Sequence, residues 1–139
     1  FIYGGILAVF YFGHVEIQTF LGEQALEKVA LERLSFAQAL QRSTETGKPV
    51  LLDVSAIWCP TCRRLDSEVF AKPEVQQAIE QRLVFTRVEY ESDEGEALQE
   101  KFNIKGFPTL LIVDSQAEII RRLPLTTDPD TFIQLIQQY

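Results

Sequence analysis

Val50-Leu51-Leu52-Asp53-Val54-Ser55-Ala56-Ile57-Trp58-Cys59-Pro60-Thr61-Cys62 joins an apolar run to a helix-like one and carries both cysteines of the chain. A Cys-x-x-Cys pair where a strand meets a helix reads as a redox motif. The reason is electrostatic. A helix N-terminus presents unsatisfied N–H groups and the positive end of the macrodipole, and both favour a thiolate. On this reading Cys59 is the exposed nucleophile, and Cys62, one turn deeper, resolves the mixed disulfide. Pro60 suits the first helical turn, where its missing N–H costs nothing. A structural zinc site needs about four ligands, and the chain offers two cysteines and one distant histidine, His14. A structural disulfide across so short a loop would constrain the unfolded chain little. Redox chemistry without a metal or an organic cofactor is the preferred reading.

The 139 residues suit one domain, and a hydrophobic share of 46% fills a core. A formal net charge of −7 argues against a nucleic-acid partner, which would require a basic patch. Acidic residues gather at Glu89, Glu91, Asp93, Glu94, Glu96 and Glu100. A solvated helix face and loop explain them; a docking surface for a basic partner is the sharper alternative.

Residues 1–13 contain no charged side chain, and the first basic residue is Lys28. A membrane span needs about 20 apolar residues, so the run is short by itself. A flank with Glu16 and Glu23 but no lysine or arginine suits the non-cytoplasmic side of a membrane. Residues 1–27 are expected to form an apolar anchor and linker, with 14–27 a connecting segment, partly helical from Gln24. An uncleaved signal or a short buried element are the alternatives for 1–13.

The globular pattern occupies residues 28–139. Val29–Arg33 reads as a short first strand. Ser35 and Gln38 form a capping box before an amphipathic helix that Gly47 ends. Val50–Ser55 reads as a buried central strand. The helix after Cys59 breaks at Lys72-Pro73 and restarts. Leu83–Tyr90 is the next strand, followed by a helix around Gly95–Phe102. Leu110–Val113 and Ile119–Leu123 form a hairpin, and Asp128-Pro129 opens the last helix. The order βαβαβαββα implies an α/β fold with a mixed central sheet flanked by helices.

That order, with Trp58-Cys59-Pro60-Thr61-Cys62 after the second strand and Gly106-Phe107-Pro108-Thr109 before a hairpin, resembles the thioredoxin fold. Within that superfamily the chain is similar to the C-terminal thioredoxin-like domain of the DsbD thiol:disulfide interchange proteins. Gly47-Lys48-Pro49-Val50-Leu51-Leu52-Asp53 and Val69-Phe70-Ala71-Lys72-Pro73-Glu74-Val75 carry that likeness. Cys-Pro-Thr-Cys also resembles the active site of the thiol reductases of cytochrome c maturation. The resemblance implies that Pro108 is a cis proline facing the dithiol, and that the backbone of Phe107 pairs with an extended substrate segment. It further implies that Trp58 covers one side of the pair and that Pro60 and Thr61 complete the substrate-binding surface. Asp53 stands where the family keeps a buried acid, and burial raises a carboxyl's pKa. The resemblance therefore implies that Asp53 takes the Cys62 proton. The family often pairs that acid with a lysine; here strand alignment offers Arg87, which stays charged and would hold Asp53 ionised. Arg63 and Arg64 read as a solvent-facing pair.

These observations imply a thiol:disulfide oxidoreductase, as a reductase on the extracytoplasmic (periplasmic) side, anchored through its N-terminus. Its substrates would be disulfide-containing proteins and its source of electrons a membrane-embedded thiol donor. A structural or assembly subunit of a membrane complex that borrows the fold is the alternative from another class. A cytochrome c maturation thiol reductase is the narrower one.

Overall fold

The computed structural model describes residues 2–139. A long helix, α1 (Ile2–Glu27), precedes α2 (Phe36–Thr46), β1 (Val50–Ser55), α3 (Pro60–Leu65) and a π-helical turn (Asp66–Phe70). Then come α4 (Pro73–Arg82), β2 (Val84–Glu89), α5 (Asp93–Phe102), β3 (Thr109–Val113), β4 (Ile119–Leu123) and α6 (Pro129–Ile136). The four strands lie in the order β2-β1-β3-β4. β1 and β2 are parallel, and β3 runs antiparallel to both β1 and β4. This is the thioredoxin fold, a mixed sheet flanked by helices.

β1 is central, and every one of its residues is buried. Strand alternation divides them between two cores. Leu51 joins Phe85, Leu110 and Ile112 beneath Leu65, Val69, Phe70, Ile79, Phe132 and Ile136 of the α3, π-turn, α4 and α6 side. Val50, Leu52 and Val54 face the α2 and α5 side, against Phe36, Ala39, Leu98 and Phe102. Asp53 and Ser55 alternate with the second set, so they share the face of Leu51. The two polar side chains thereby point to the side of the sheet that carries the dithiol helix.

Local chemistry ends the helices where the sequence indicates. The Ser35 hydroxyl accepts from Gln38 N–H and the Gln38 side chain accepts from Ser35 N–H, closing the capping box at both ends. Gly47 terminates α2 at φ +75°, a left-handed conformation that glycine adopts without a Cβ penalty. Asp128 caps α6 by accepting from Thr131 N–H, with Pro129 in its first turn.

Two expectations are corrected. Val29–Arg33 forms no strand. Val29 and Leu31 do turn into the core while Ala30 and Glu32 face water, which is the alternation a strand shows. The segment nevertheless meets the sheet only through a single parallel bridge between Leu34 and Thr86, where the Thr86 hydroxyl also donates to the Leu34 carbonyl. Residues 14–27 are helical throughout, not only from Gln24, because α1 runs unbroken from Ile2 to Glu27. No proline interrupts it, and its C-terminal part gains tertiary contacts that local pattern does not reveal.

Phe70 shows what holds the dithiol side together. Its ring lies 5.4 Å from that of Phe85 and 5.5 Å from that of Phe132, both edge-on, and none of it is exposed. Phe70→Ala should cost about 3–5 kcal/mol, the usual range for emptying such a site, and urea unfolding at neutral pH measures it.

Candidate active site

β1 delivers the chain to Ser55, a short loop crosses Ala56, Ile57 and Trp58, and α3 begins at once. Cys59 is the N-cap of α3, with Sγ accepting from Cys62 N–H at 3.2 Å. The Cys59 N–H in turn donates to the Ala56 carbonyl at 3.1 Å. The sulfur of the first cysteine therefore occupies the place where a helix offers its unpaired N–H groups. Both cysteines are free thiols.

Cys59 is not exposed as the sequence suggests. It is 6% exposed and Cys62 1%. Trp58, Tyr90 and Phe107 pack over the pair. The Phe107 ring stands 5.5 Å from Trp58 and 4.6 Å from Tyr90. The Phe107–Pro108 peptide is cis, and Pro108 is buried. Pro60 and Thr61 are exposed at the start of α3. A cleft of about 350 Å³ opens beside them, lined by Thr61, Leu65, Pro108, Leu125, Thr126 and Thr127. Tyr90 had no signal in the sequence; it reaches the site because β2 ends level with β1, where Tyr90 N–H donates to Ser55 O.

A buried charge cluster lies beneath the dithiol. Parallel register sets Asp53 opposite Arg87, as strand alignment indicates. The guanidinium does not hydrogen-bond Asp53, however. Arg87 Nη1 is 3.6 Å from Asp53 Oδ2 but donates to both oxygens of Asp66, at 2.9 and 2.8 Å. Asp53 Oδ1 accepts from the Ser55 hydroxyl at 2.5 Å, and Oδ2 accepts no hydrogen bond among the described residues. Asp66 stands four residues after Cys62 and so on the same helical face, the one signal in the sequence that could have marked it. Glu89 completes the cluster, with one oxygen 3.4 Å from Arg87 Nε and the other accepting from Ile57 N–H at 2.9 Å.

The titration of these groups follows from one guanidinium facing two buried carboxyls. Burial pushes the Asp53 carboxyl up, and Arg87 and the Ser55 hydroxyl only partly offset it. Burial likewise pushes Asp66 up to about 7, with Arg87 opposing and the Asp53 charge adding to the rise. Arg87 does favour the Asp53 carboxylate by its charge, from 3.6 Å at Oδ2, but its hydrogen bonds go to Asp66, so burial outweighs it and the Asp53 carboxyl is raised. The Cys62 thiol is pushed up to about 12 by burial first and its hydrogen bond with Cys59 second; the Ala56 backbone and the Ser55 hydroxyl favour the thiolate. Cys62 is therefore protonated at neutral pH, next to a serine that is bonded to a carboxyl of raised pKa.

The two arginines after Cys62 divide. Arg64 is exposed and pairs with Glu68 at 3.2 Å. Arg63 is half-buried and donates to Gln18 of α1 at 2.5 Å.

The chain belongs to the thioredoxin-like domain family, whose model matches residues 36–139. It is similar to the thiol:disulfide interchange protein DsbD of Haemophilus influenzae strain PittGG, 28% identical over 127 residues that make up 84% of this chain and 22% of that protein. DsbD of Yersinia pestis strain Pestoides F is 35% identical over 94 residues, 66% of this chain and 16% of that protein. The chain thus spans about a fifth of the length of these relatives. Among solved structures, the oxidised C-terminal domain of Neisseria meningitidis DsbD superposes with a TM-score of 0.62 at 28% identity, covering 73% of this chain and 90% of that one. The DsbH oxidoreductase shares the fold with a TM-score of 0.71 at 19% identity, covering 78% and 83%.

The charge cluster predicts an unusual pH dependence. Folded Asp66 keeps its proton to about pH 7, against an ordinary value of 3.8. Between these limits the folded chain binds more protons than the unfolded chain, so this group's contribution to stability falls as pH rises. Asp53 acts in the same direction. Urea unfolding across this interval should give a stability that declines toward neutrality, with a shallower decline in Asp66→Asn; equal slopes would contradict the assignment.

Proposed function

We propose that the chain is a membrane-anchored, extracytoplasmic protein disulfide reductase, with residues 1–27 as anchor and linker and 28–139 as the dithiol domain. The observation that carries the chemistry is the Cys59 sulfur capping α3, with Cys62 directly behind it. Cys59 thiolate attacks a substrate disulfide; a bond forms between Cys59 Sγ and one substrate sulfur, and the other leaves as a thiolate that takes a proton from water. Cys62 then attacks Cys59 Sγ, the intramolecular disulfide forms, and the second substrate thiol departs. Two electrons pass from the dithiol to the substrate, and a membrane-embedded thiol donor restores the pair.

The second step requires the Cys62 proton to leave. Ser55 is positioned to relay it: its hydroxyl donates to Asp53 Oδ1 and acts on the Cys62 thiol. The proton passes from Cys62 to Ser55 Oγ as the serine proton passes to Asp53. Trp58, Pro60, Thr61, Phe107 and Pro108 form the substrate-binding surface. The cleft shared by Thr61 and Pro108 supports this, as it offers a substrate segment a seat beside the dithiol. The extracytoplasmic placement rests on the likeness to DsbD and on a flank after residue 13 that has no basic residue before Lys28.

Insulin reduction should vanish in Cys59→Ser, whereas Cys62→Ser should accumulate mixed disulfides visible on non-reducing gels. The reduction potential of the pair, measured in dithiothreitol buffers, should lie at or below about −220 mV; a value of about −120 to −180 mV would mark an oxidase or isomerase instead.

A base in the resolving step is worth about 10²–10⁴ in rate. Asp53→Asn should therefore slow release of the mixed disulfide by about 100-fold at neutral pH, and Ser55→Ala should slow it in the same step. Both deficits should shrink as pH rises and Cys62 ionises unaided. Stopped-flow fluorescence of Trp58 reads this step, and a pH-independent deficit would remove both residues from proton transfer.

A further inference from the structure

Helix α1 has two different surfaces along one unbroken axis. From Ile2 to His14 every residue is exposed, and the large apolar side chains Ile2, Tyr3, Ile6, Leu7, Val9, Phe10, Tyr11 and Phe12 point in all directions around it. A helix apolar on every side and covered by nothing is matched to lipid and not to a one-sided protein contact. As a whole, α1 is long and apolar enough to cross a membrane; its uncovered part, Ile2–His14, advances about 18 Å, which inserts into a bilayer without crossing its roughly 30 Å core by itself. From Val15 onward one face is covered, while Ile17, Phe20 and Leu21 on the other stay exposed. Val15, Gln18, Thr19, Gly22, Ala25 and Leu26 are buried or half-buried, the i, i+3, i+4, i+7 stripe of a helix seated on a protein.

The seat is the loop that carries the nucleophile. A side chain at Gly22 would overlap the Ile57 carbonyl oxygen, so the two backbones touch with nothing between them. One turn earlier, Gln18 accepts from Arg63, the residue after Cys62. The Ile57 N–H is held from the other side by Glu89. The peptide two residues before Cys59 is thus clamped between the anchor helix and the buried charge cluster.

We propose that α1 is a rigid strut and not a flexible tether, with Gly22 and Gln18 as positioning residues that lock the membrane helix to the Cys59 loop. Residues 14 to 22 advance about 12 Å along a helix axis. If lipid covers α1 up to Gly13, the dithiol is held within about two helical turns of the bilayer surface at a fixed orientation. The inference rests on the membrane-anchor reading above.

The full chain in phosphatidylcholine vesicles tests it, with Trp58, the only tryptophan, as a native probe beside Cys59. Flotation shows whether the chain enters the bilayer. A strut predicts a Trp58 anisotropy decay with a persistent slow component, and quenching of Trp58 by lipid bearing a headgroup nitroxide. Gly22→Leu should lose both signals. A Gly-Ser insertion between His14 and Val15 should also lose both, yet leave the docked interface, urea stability and insulin reduction unchanged. It decides the matter even if Gly22→Leu does not fold. Failure to float would overturn the anchor reading and the strut with it. A chain that floats while Trp58 tumbles freely, or an insertion that leaves both signals intact, would overturn the strut and leave the anchor standing.

Discussion

Arg87 is a buried cation with more carboxylates around it than it can satisfy, and the site is arranged about that imbalance. Its side chain is 8% exposed and faces Asp53, Asp66 and Glu89. Two fully charged carboxylates in such a place would cost far more than one guanidinium returns. The arrangement is stable because the carboxyls are not equivalent. Asp66 takes the bidentate contact, Glu89 reaches solvent, and Asp53 is left with one hydroxyl and an unpartnered oxygen. An unpartnered carboxyl oxygen in a dry site is a strong proton acceptor, and the fold supplies one on the face of β1 that looks toward Cys62.

A π-helical turn begins at Asp66. Its widened winding, closed by Ala71 N–H donating to Asp66 O at 2.7 Å, follows directly on α3. Leu65, Val69 and Phe70 stay in the core while Asp66 is directed at Arg87. π turns within helices occur often at functional positions. One continuous winding thus caps a thiol at its start and brings the Asp66 carboxyl to the sheet about two turns later, without giving up apolar packing.

Local signals in the sequence were sufficient for most of the framework. The Ser35/Gln38 box, Gly47, Lys72-Pro73 and Asp128-Pro129 each satisfy or block backbone groups within a few residues, so their meaning does not depend on distant partners. What the sequence hid was set at long range. Val29 and Leu31 alternate as a strand does, but a ladder needs a neighbouring edge in register, and only Leu34 finds one. The helix through residues 14–27 is stabilised by contacts with α3, invisible in a stretch of mixed polarity. Pairing of Asp53 with Arg87 was legible because strand register is a local count; the competition from Asp66 was not, since it depends on where a helix lands on the sheet. The covering of Cys59 by Phe107 and Tyr90 joins residues about 50 and 30 positions away in sequence, as the ring contacts around it record.

That covering bears on how the dithiol meets a substrate. Trp58, Phe107 and Tyr90 exclude water from one side of the sulfurs, which strengthens the pull of the α3 N–H groups and raises the cost of any charge left unpaired. The open side is the cleft between Thr61 and Pro108. The loop cannot easily swing to admit a substrate elsewhere, because the Ile57 peptide is bonded to Glu89 through its N–H and backed by Gly22 at its carbonyl. The loop is thus backed on one side and a cleft opens on the other, while the buried Asp53 carboxyl lies on the face of β1 that carries α3.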